Sequence, residues 1–515
     1  MFELGRGFLA SAARIPHALA LTDGQRSWTY SEWHRDVNAV ASALLNQGFA
    51  PGDHIASVLT NRAEAATLHL ACQLAGFIIT PINWRASSEE LSYVLRDSDA
   101  VTVVFEPLTA DTVAQSVTSL PITTIGLDDS ACELPFARLL KPANDLRPCA
   151  KPDDTSVMLY TSGTTGRGKG VPRTHRSERA AALAHVAQNQ YHREEVTLGV
   201  MPLYHTMGVR SLLASVLING HFICQRRFDA AQALALIAQH QITNLYLVPT
   251  LYHDLVNHPD FANTYTRSVT KLGFAGQSMT DGLLKQLSHA FTPELFANHY
   301  GSSEIYTFTI EPDAASKPGS AGKAGINQEV RVVSITTNDP GALVAPLVEG
   351  QIIAALDGDE AFSGYWQRPD ADAKALHAGW YFTGDIGYFD HDGDLFITGR
   401  VDDMIISGGE NILPIEIESV LSLHPQVSEV AVVGTPDKRW GQIVSAFIIR
   451  NDTTEASDTQ APEALSKEML DDWCLESQLS SFKRPRNYYF IRTLPKSPVG
   501  KLLRRKLVVG DYELE

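Results

Sequence analysis

A glycine-rich segment with the chemistry of a phosphate-binding loop runs from Tyr160 to Gly170, with the sequence YTSGTTGRGKG. It contains four glycines, four Ser or Thr hydroxyls, one lysine and one arginine, and it follows the apolar run Val157-Met158-Leu159. Glycines let backbone N–H groups approach an anion closely, and hydroxyl and cationic side chains add further donors. The sequence therefore predicts a strand followed by a loop that holds phosphate.

The same segment matches the opening of the NTPase P-loop, G-x-x-x-x-G-K, at Gly163, Gly168 and Lys169. A P-loop needs Ser or Thr next, to ligate Mg²⁺, and Gly170 stands there instead. Pro172 follows closely and disfavours the helix that a P-loop opens, because it lacks a backbone N–H. We therefore expect neither a P-loop nor a plain Gly/Ser linker, since linkers rarely carry Lys and Arg among their glycines.

Two further segments have the residue types that a bound nucleotide and its metal need. His299 to Glu304 (HYGSSE) places an aromatic ring, hydroxyls and a carboxylate together. The ring can stack on a base, and the carboxylate beside a hydroxyl turn suits Mg²⁺, which prefers oxygen ligands. Tyr381 to Asp385 (YFTGD) ends a strand-like run on a carboxylate that can accept ribose hydroxyls. Taken alone, each segment is also typical of an ordinary surface turn.

Together these segments resemble the signatures of the adenylate-forming enzymes, a superfamily of acyl- and aryl-CoA ligases, adenylation domains and luciferases. The loop is similar to TSGTTGxPKG, with Gly168 at the usual proline; the departure is expected to loosen the end of the loop. Tyr300 to Glu304 resembles YGxTE, with Ser303 for Thr, and Thr383 to Asp385 resembles TGD. Gly399 to Asp402 resembles the GR-D motif, and the motifs occur in the family's order over almost the whole chain.

The resemblance implies ATP and Mg²⁺ sites at defined positions of this chain. The ATP-binding residues implied are Thr161, Ser162, Gly163, Thr164, Thr165, Gly166, Lys169, Gly276, Gln277, Ser278, Tyr300, Gly301, Ser302, Ser303, Asp385 and Arg400. The implied metal ligands are Thr165 and Glu304. Gly276 to Ser278 corresponds to the adenine-side loop of the family, although on its own it is only a glycine-containing turn.

A third motif, Pro495 to Lys501 (PKSPVGK), resembles the C-terminal P-x-x-x-x-G-K segment of the family. The resemblance implies that Lys501 reaches the α-phosphate and the carboxylate during adenylation, a role that suits a compact ammonium on a flexible stem. Lys501, Glu304 and His205 are the catalytic residues that we predict. Alternatively, Lys501 only opens a basic helix. The family's hinge, about which the small domain rotates between half-reactions, maps to Asp402.

The implied acceptor is coenzyme A. The chain is most similar to the 4-chlorobenzoate-CoA ligase type, through Arg400 to Ile412 (RVDDMIISGGENI), Arg439 to Gln442 (RWGQ) and Phe482 to Pro485 (FKRP). The CoA-binding residues implied are Gly408, Gly409, Trp440, Arg484, Arg486 and Arg85. Two adjacent glycines without side chains can line a narrow channel for the pantetheine arm.

The acid is expected near Met201 to His205 (MPLYH), which resembles the motif before the family's acyl pocket. The acid-pocket residues that we predict are His205, Met207, Leu247, Ile305 and Tyr306. No aspartate follows His205, which disfavours an α-amino acid, because that substrate class needs a carboxylate for its ammonium. Apolar and aromatic walls favour a benzoate-like or medium-length acyl group, although such residues are more often plain core.

Composition sets the limits of the protein's class. The chain has 515 residues, 44% of them hydrophobic and 20% charged, with a formal net charge of −17. The length predicts two or more domains, and the acidic charge disfavours nucleic acid as a partner. No apolar run approaches the ~20 residues of a membrane span. Five scattered cysteines without metal-ligand spacing favour a reducing cytoplasm.

The pattern of strand-length apolar runs and helices predicts an α/β fold. His54 to Leu59, Glu64 to Ala75 and Phe77 to Ile82 indicate a strand, an amphipathic helix and a strand, typical of a mainly parallel sheet wrapped by helices. Val330 to Leu356 predicts a small β-barrel-like part or a second sheet. We expect an N-terminal ATP- and acid-binding domain at 1–401 and a small, mobile α+β domain at 402–515, in which 451–464 is a surface loop.

These inferences predict an AMP-forming carboxylic acid–CoA ligase that uses ATP, Mg²⁺ and CoA on an aromatic acid. Alternatives are a medium-chain fatty acyl-CoA ligase, an enzyme that loads the phosphopantetheine of a carrier protein, a luciferase-like oxygenase, and a degenerate ATP-binding regulator. Retained Lys501, Glu304 and Asp385 argue against the regulator. A homodimer is kept open, and the basic side chains at 502–506 are expected at the surface.

Overall fold

The computed structural model describes residues 2–128, 130–161, 168–408, 410–451, 465–477, 479–496 and 502–515. The chain forms two compact units, an N-terminal unit (Met1–Val330 and Ala354–Tyr381) and a C-terminal unit (Arg331–Ile353 and Phe382–Glu515). A domain boundary and hinge at Asp402 stay predictions. Among the described helices, none combines the length and the apolar character needed to cross a membrane.

Helices and strands alternate through most of the N-terminal unit. Its helices are α1 (Leu4–Arg14), α2 (Tyr30–Asn46), α3 (Ala63–Ala75), α4 (Ser88–Asp97), α5 (Ala110–Val117), α6 (His175–Gln188), α7 (Thr206–Leu217), α8 (Ala230–His240), α9 (Pro249–Val256), α10 (Asp281–Phe291) and α11 (Pro369–Ala375). Short 3₁₀ helices lie at Pro107–Thr109, Phe136–Leu140 and Phe261–Asn263.

The strands of this unit form two sheets. They are β1 (Leu19–Asp23), β2 (Arg26–Thr29), β3 (His54–Val58), β4 (Ile78–Pro81), β5 (Ala100–Phe105), β6 (Thr123–Gly126), β7 (Leu134–Pro135), β8 (Thr155–Thr161), β9 (Lys169–Thr174), β10 (Val196–Gly199), β11 (His221–Cys224), β12 (Asn244–Leu247), β13 (Lys271–Ala275), β14 (Leu295–Tyr300), β15 (Thr309–Glu311) and β16 (Ser320–Ala324).

Both sheets are mainly parallel, as predicted. The first has the order β7-β6-β5-β3-β4-β8-β9, and only its edge pair β8/β9 is antiparallel. In the second the order runs β16-β15-β14-β13-β12-β10-β11-β1-β2, with a parallel centre from β14 to β1. The carboxyl ends of β12, β13 and β14 therefore lie side by side, at the edge where parallel sheets hold ligands.

The helix α3 differs from the amphipathic helix that the sequence predicts. All of its residues except Glu64 are buried, because α1 and α2 pack on it as well as β4. A helix that is covered on all sides needs no polar face. It ends at Gly76, whose φ of 78° is left-handed and suits glycine.

The remaining strands and helices, except β19, belong wholly or mainly to the C-terminal unit, and the unit boundaries fall inside β17, β18 and β20. The elements are β17 (Val330–Val333), β18 (Gly350–Ala355), β19 (Leu376–His377, in the N-terminal unit), β20 (Trp380–Phe389), β21 (Leu395–Arg400), β22 (Ile405–Ser407), β23 (Glu410–Ile412), α12 (Pro414–Leu421), β24 (Val427–Asp437), β25 (Gly441–Arg450), α13 (Lys467–Glu476), β26 (Asn487–Phe490) and α14 (Arg504–Val509), with a 3₁₀ turn at Val401–Asp403.

The strands of the C-terminal unit form open sheets. β17, β18, β20 and β21 lie in that order, and β23, β22, β25 and β24 form a second sheet with β26 beside β25. The part predicted at Val330 to Leu356 as a β-barrel or a second sheet is, within the described residues, an open sheet and not a closed barrel. The predicted helix at Pro414 and the strands starting near Val427 and Val444 are present, and the predicted loop at 452–464 lies outside the described residues.

Arg504 holds α14 against the rest of this unit, contrary to the surface position expected for it. Its Nη2 donates to both oxygens of Glu418, at 2.6 and 2.7 Å, and its Nε donates to the carbonyl of Val432 at 3.3 Å. Glu418, only 8% exposed, also accepts from the Val432 amide. Both bonds to Glu418 join charged groups, which makes them stronger than bonds between neutral groups.

We expect Arg504→Met to loosen the C-terminal unit, because it leaves Glu418 buried without its cation. Amide exchange in α12 and β24, followed by mass spectrometry, is expected to accelerate roughly 30-fold, which corresponds to about 2 kcal/mol. The neighbouring exposed residue provides the control, Arg505→Met, with unchanged exchange. Equal acceleration in both variants would show that Arg504 has no special anchoring role.

Candidate functional site

The glycine-rich segment joins two antiparallel strands. Thr161, the last residue of β8, pairs with Lys169, the first residue of β9. A strand therefore follows the lysine where a P-loop has a helix, which agrees with the sequence argument against a P-loop. The predicted ATP ligands Ser162, Gly163, Thr164, Thr165 and Gly166 lie outside the described residues.

Gly168, at the position where the family has proline, is held by a hydrogen bond. The hydroxyl of Tyr93 donates to the Gly168 carbonyl at 3.0 Å. A Cβ at Gly168 would lie 3.0 Å from the carbonyl oxygen of Thr161, tighter than most real contacts. The described end of the loop thus has an anchor outside the loop that the sequence does not indicate.

Glu304 and Lys169 meet the same aromatic side chain, Tyr365. The Tyr365 hydroxyl donates to Glu304 Oε1 at 2.7 Å, and Lys169 Nζ lies 4.0 Å from the centre of the Tyr365 ring. Burial, and then the Glu304 carboxylate, raise the pKa of Tyr365, so its hydroxyl stays protonated as the donor. Tyr365 therefore connects the described end of the glycine-rich loop to the predicted metal carboxylate.

The donor set around Glu304 fits a divalent metal ion. The carboxylate is buried, 6% exposed, and its bond to Tyr365 occupies one of about four lone-pair positions. A hard oxygen donor that is oriented from behind by a hydroxyl is what Mg²⁺ sites use. Glu304 therefore suits the predicted role, and the second predicted ligand, Thr165, lies outside the described residues.

Arg173 fixes the backbone of this region from the core. It is fully buried, forms an ion pair with Glu178 at 2.8 Å, and donates from Nη1 to the carbonyls of Glu304 and Glu360 at 2.9 and 2.5 Å. These bonds tie β9 to the segment that carries Glu304. Sequence reasoning missed Arg173, because an arginine inside a strand gives no sign that it is buried.

The adenine-side residues come together at the ends of β13 and β14. Ala275 pairs with His299, so Gly276 and Tyr300 are the next residues along two adjacent strands. Gly276 has a φ of +85°, which favours glycine and turns the chain away from the sheet. Gly301 allows a close approach, since a Cβ there would lie 2.1 Å from the carbonyl of Tyr306.

The turn after Tyr300 is closed by the backbone. The Ser302 amide donates to the carbonyl of Ile305 at 2.9 Å. This bond closes a tight turn that contains Ser303 and Glu304 and directly follows Gly301. Gln277 and Ser278 follow β13 in the adjacent loop.

His205 is the N-cap residue of α7. Its Nδ1 accepts from the Met207 amide at 3.4 Å, so this side chain orients the start of the helix. Met207 and Leu247 are buried in one hydrophobic core, whereas Ile305 packs in another with Tyr365. The structure thus places Met207 and Leu247 in one core and Ile305 in another, while Tyr306 is buried in a third.

The predicted ribose ligands Asp385 and Arg400 are paired within the C-terminal unit. They face each other across β20 and β21, and Arg400 Nε lies 3.3 Å from Asp385 Oδ1. Gly384 has a φ of +78°, and the Asp385 amide donates to the Thr383 hydroxyl oxygen at 3.0 Å. Carboxylate and guanidinium are therefore presented as one unit where β21 ends, whereas Asp385 lies inside β20 and does not end its strand as the sequence predicts.

The predicted hinge and catalytic lysine are only partly described. Asp402 is exposed in the 3₁₀ turn Val401–Asp403 that joins β21 to β22. Lys501 lies outside the described residues. The described residues that flank the segment 497–501, Lys496 and Leu502, form an antiparallel bridge. The Leu503 amide donates to the Pro495 carbonyl at 2.8 Å.

The predicted CoA residues have different surroundings. Gly408, with a φ of +61°, lies so close to Trp440 that a Cβ would come within 2.6 Å of the indole. Trp440 is 46% exposed. Arg484 forms an ion pair with Asp471 at 3.0 Å, so a phosphate would have to compete with that carboxylate.

The other CoA candidates lie apart in the sequence and in their contacts. Arg486 is exposed, and its amide donates to the Val444 carbonyl. Arg85, in the N-terminal unit, lies 4.0 Å from the centre of the Trp84 ring. Gly409 lies outside the described residues.

Comparison with known proteins agrees with the motifs. The family model described as AMP-binding enzyme matches residues 8–366, and the model of the AMP-binding enzyme C-terminal domain matches 416–501. A 4-chlorobenzoate–CoA ligase from Arthrobacter sp is 32% identical over 506 residues, covering 96% of this chain and 93% of the relative.

Two other proteins are similar along nearly their whole length. A fatty acid–[acyl-carrier-protein] ligase, ScoC, from Streptomyces coeruleorubidus is 33% identical over 489 residues, covering 94% of this chain and 91% of the relative. The crystal structure of ATP-bound MatB from Rhodopseudomonas palustris superimposes with a TM-score of 0.88 at 26% identity and covers 99% of both chains. The chain therefore belongs to the AMP-binding enzyme family, the adenylate-forming superfamily.

Proposed function

We propose that this protein is an ATP-dependent carboxylic acid–CoA ligase that acts on an aromatic acid. In the first half-reaction, a carboxylate oxygen attacks the α-phosphorus of ATP, and the bond to pyrophosphate breaks. In the second, the thiol of CoA loses its proton and attacks the acyl carbonyl, so that a thioester forms and AMP leaves. The family membership supports this two-step chemistry.

The placement of Glu304 is the observation that carries the proposal. Its carboxylate, oriented by Tyr365, lies in the turn after Tyr300, and Tyr365 also contacts Lys169 at the end of the glycine-rich loop. We assign Glu304, together with Thr165, to Mg²⁺, which when bound neutralises charge on the phosphates of ATP. Gly276 and Tyr300 would hold the adenine, and Asp385 with Arg400 the ribose.

Sequence similarity and the residues near His205 support an aromatic acid as the substrate. The 4-chlorobenzoate–CoA ligase is similar over almost the whole chain, and Tyr246 offers a buried ring in the same hydrophobic core as Met207 and Leu247. A medium-chain fatty acid, or transfer to a carrier protein, is the alternative favoured by the similarity to ScoC. We place the enzyme in the cytoplasm, where its five free cysteines would stay reduced.

Product analysis tests the proposal directly. The purified protein is incubated with MgATP, an acid and CoA, and we expect acid-dependent pyrophosphate, AMP without ADP, and consumption of CoA in the absence of any carrier protein. ADP formation would contradict adenylation. Acyl transfer to a phosphopantetheinylated carrier, with none to CoA, would establish the carrier-protein alternative, and light emission in the presence of O₂ would support the luciferase-like one.

We expect Lys501→Ala to separate the two half-reactions. Loss of the ammonium from the adenylation transition state is expected to slow acyl-AMP formation about 100-fold to 1,000-fold. Thioester formation from supplied acyl-AMP and CoA is expected to stay near the wild-type rate. Lys496→Ala, five residues earlier, is the matched control with both rates unchanged. Equal loss of both half-reactions in Lys501→Ala would contradict a lysine that acts only in adenylation.

We expect Tyr365→Phe to weaken the proposed metal site, because Glu304 loses the hydroxyl that orients it. Removing an outer partner of a metal ligand typically costs 10- to 100-fold in metal affinity, so the Mg²⁺ concentration for half-maximal pyrophosphate release is expected to rise about 10-fold or more. Tyr388→Phe, whose ring stacks on Phe396 in the C-terminal unit, is the control. An unchanged Mg²⁺ requirement in Tyr365→Phe would remove Tyr365 from the site.

A further inference from the structure

Arg210 differs from the other buried cationic residues because it lacks an acidic partner. The buried cations among the described residues are Arg62, Arg173, Lys271 and Arg210. The first three form ion pairs, with Glu64, Glu178 and Glu195 respectively. Arg210 is 2% exposed and forms no ion pair with any carboxylate that the structure describes.

The partners of Arg210 are neutral. Its Nη1 donates to Thr307 Oγ1 at 2.7 Å and to the Tyr306 carbonyl at 3.2 Å, its Nη2 donates to the hydroxyl of Tyr246, and Nε has no hydrogen-bond partner among the described residues. An isolated buried charge is costly. Such a charge is retained where a ligand supplies the opposite one.

Glu360 forms no ion pair with this guanidinium among the described contacts. Burial raises the pKa of the Glu360 carboxyl, and Arg210 opposes that shift. Glu360 Oε1 accepts a hydrogen bond from Asn327 at 3.1 Å. Arg210 therefore has no direct bond to a carboxylate in the described part of the chain.

Two histidines surround the same tyrosine as Arg210. The centre of the Tyr246 ring lies 4.8 Å from that of His185, 5.2 Å from that of His299 and 5.2 Å from the guanidinium carbon. Gly273 makes room for Tyr246 on the neighbouring strand, since a Cβ there would lie 2.9 Å from the ring. His185 and His299 are fully or almost fully buried.

Asn189 determines which nitrogens of the two rings carry protons. Its Nδ2 donates to the His185 carbonyl at 2.8 Å, which fixes the amide orientation, and also to His185 Nδ1 at 3.0 Å. Its Oδ1 then accepts from His299 Nε2 at 3.1 Å. Burial, and then Arg210, lower the pKa of both histidines, so both are neutral near pH 7.

His185 is thereby left with a free donor. Because Nδ1 accepts from Asn189, the ring proton sits on Nε2, which has no partner in the described chain. His299 has the reverse arrangement, with a bare Nδ1. A buried polar atom without a protein partner can be satisfied by a ligand or by an ordered water. Arg210 and His185 together supply a charge and a neutral donor, the set that binds an anionic oxygen.

The cluster adjoins the proposed acid and adenine sites. His299 directly precedes Tyr300 on β14, and Tyr246 directly precedes Leu247 on β12. Arg210 lies five residues after His205, the N-cap residue of α7. A compact acid that reached both residues would present one carboxylate near His205 and a second group at Arg210.

We propose that the acid activated by this enzyme carries a second carboxylate, which Arg210 and His185 bind at the inner end of the acid pocket. The substrate class is a compact dicarboxylic acid. Asn189 and His299 are positioning residues that present the His185 donor. The inference rests on the proposed ligase function, and it names the substrate for the site that His205, Met207 and Leu247 begin.

Matched acids test this inference. Pyrophosphate release is measured with benzoate against benzene-1,3- and benzene-1,4-dicarboxylate, and with hexanoate against hexanedioate. The 1,4-monoamide provides a neutral control of the same shape. A diacid is expected to exceed its monoacid in kcat/KM by about 100-fold or more, because the analogue leaves a buried charge unpaired. Equal or better use of the monoacids or the monoamide would overturn the inference and leave the ligase function intact.

Substitutions at Arg210, His185 and Lys271 separate a loss of diacid binding from a loss of protein stability. Arg210→Met is expected to lower the ratio of diacid to monoacid kcat/KM about 100-fold, and His185→Phe is expected to lower the same ratio about 10-fold. Lys271→Met, which breaks another buried ion pair, is the control that lowers stability but keeps the preference. A preference that survives in Arg210→Met would overturn the assignment.

A binding measurement without catalysis covers the case in which a variant fails to fold. Titration calorimetry of the wild-type protein with the diacids and monoacids in the absence of ATP is expected to show tighter binding of the diacids. If no acid releases pyrophosphate, the ligase proposal fails and this inference fails with it. Pyrophosphate release from monoacids alone would leave the ligase standing and show that ordered water satisfies Arg210.

Discussion

A carboxylate that must remain available inside a buried turn, Glu304, is the constraint around which the N-terminal unit is arranged. Tyr365 donates to its side chain from behind, and Arg173 holds its carbonyl. Arg173 is in turn paired with Glu178. The backbone around Glu304 is thus fixed from the core, and its carboxylate is oriented by a neutral hydroxyl.

The parallel sheet of the N-terminal unit determines which residues of the proposed site become neighbours. Since neighbouring parallel strands end at the same edge, residues that are distant in sequence, such as Gly276 and Tyr300, become neighbours. His299 lies one position before Tyr300, and Tyr246, level with Gly273 and Ala297, lies two positions further from that edge on the same face of the sheet. The nucleotide side and the acid side of the proposed site are therefore determined by one register.

Much of this could be predicted from the sequence, and the rest depends on contacts that no local pattern records. The strands at His54, Thr243 and Lys271 and the strand that leads into the loop at Thr161 follow from apolar runs and glycine chemistry, whereas the strand after the loop, β9, was not predicted. Tyr365 and Arg173 could not be found, because their roles arise from partners 61 and 131 residues away. Arg504 was wrongly predicted to lie at the surface for the same reason. A basic run in the sequence gives no sign that one of its cations pairs with the buried Glu418.

Gly408 has a consequence for how the C-terminal unit meets a ligand. With no side chain and a left-handed backbone, it forms a flat support against which the Trp440 indole rests, while 46% of that residue remains exposed. An aromatic surface that is already immobile loses little rotational freedom when a planar group stacks on it. The entropy of ordering the indole is therefore spent when the chain folds, and recognition begins from a surface that is already in place.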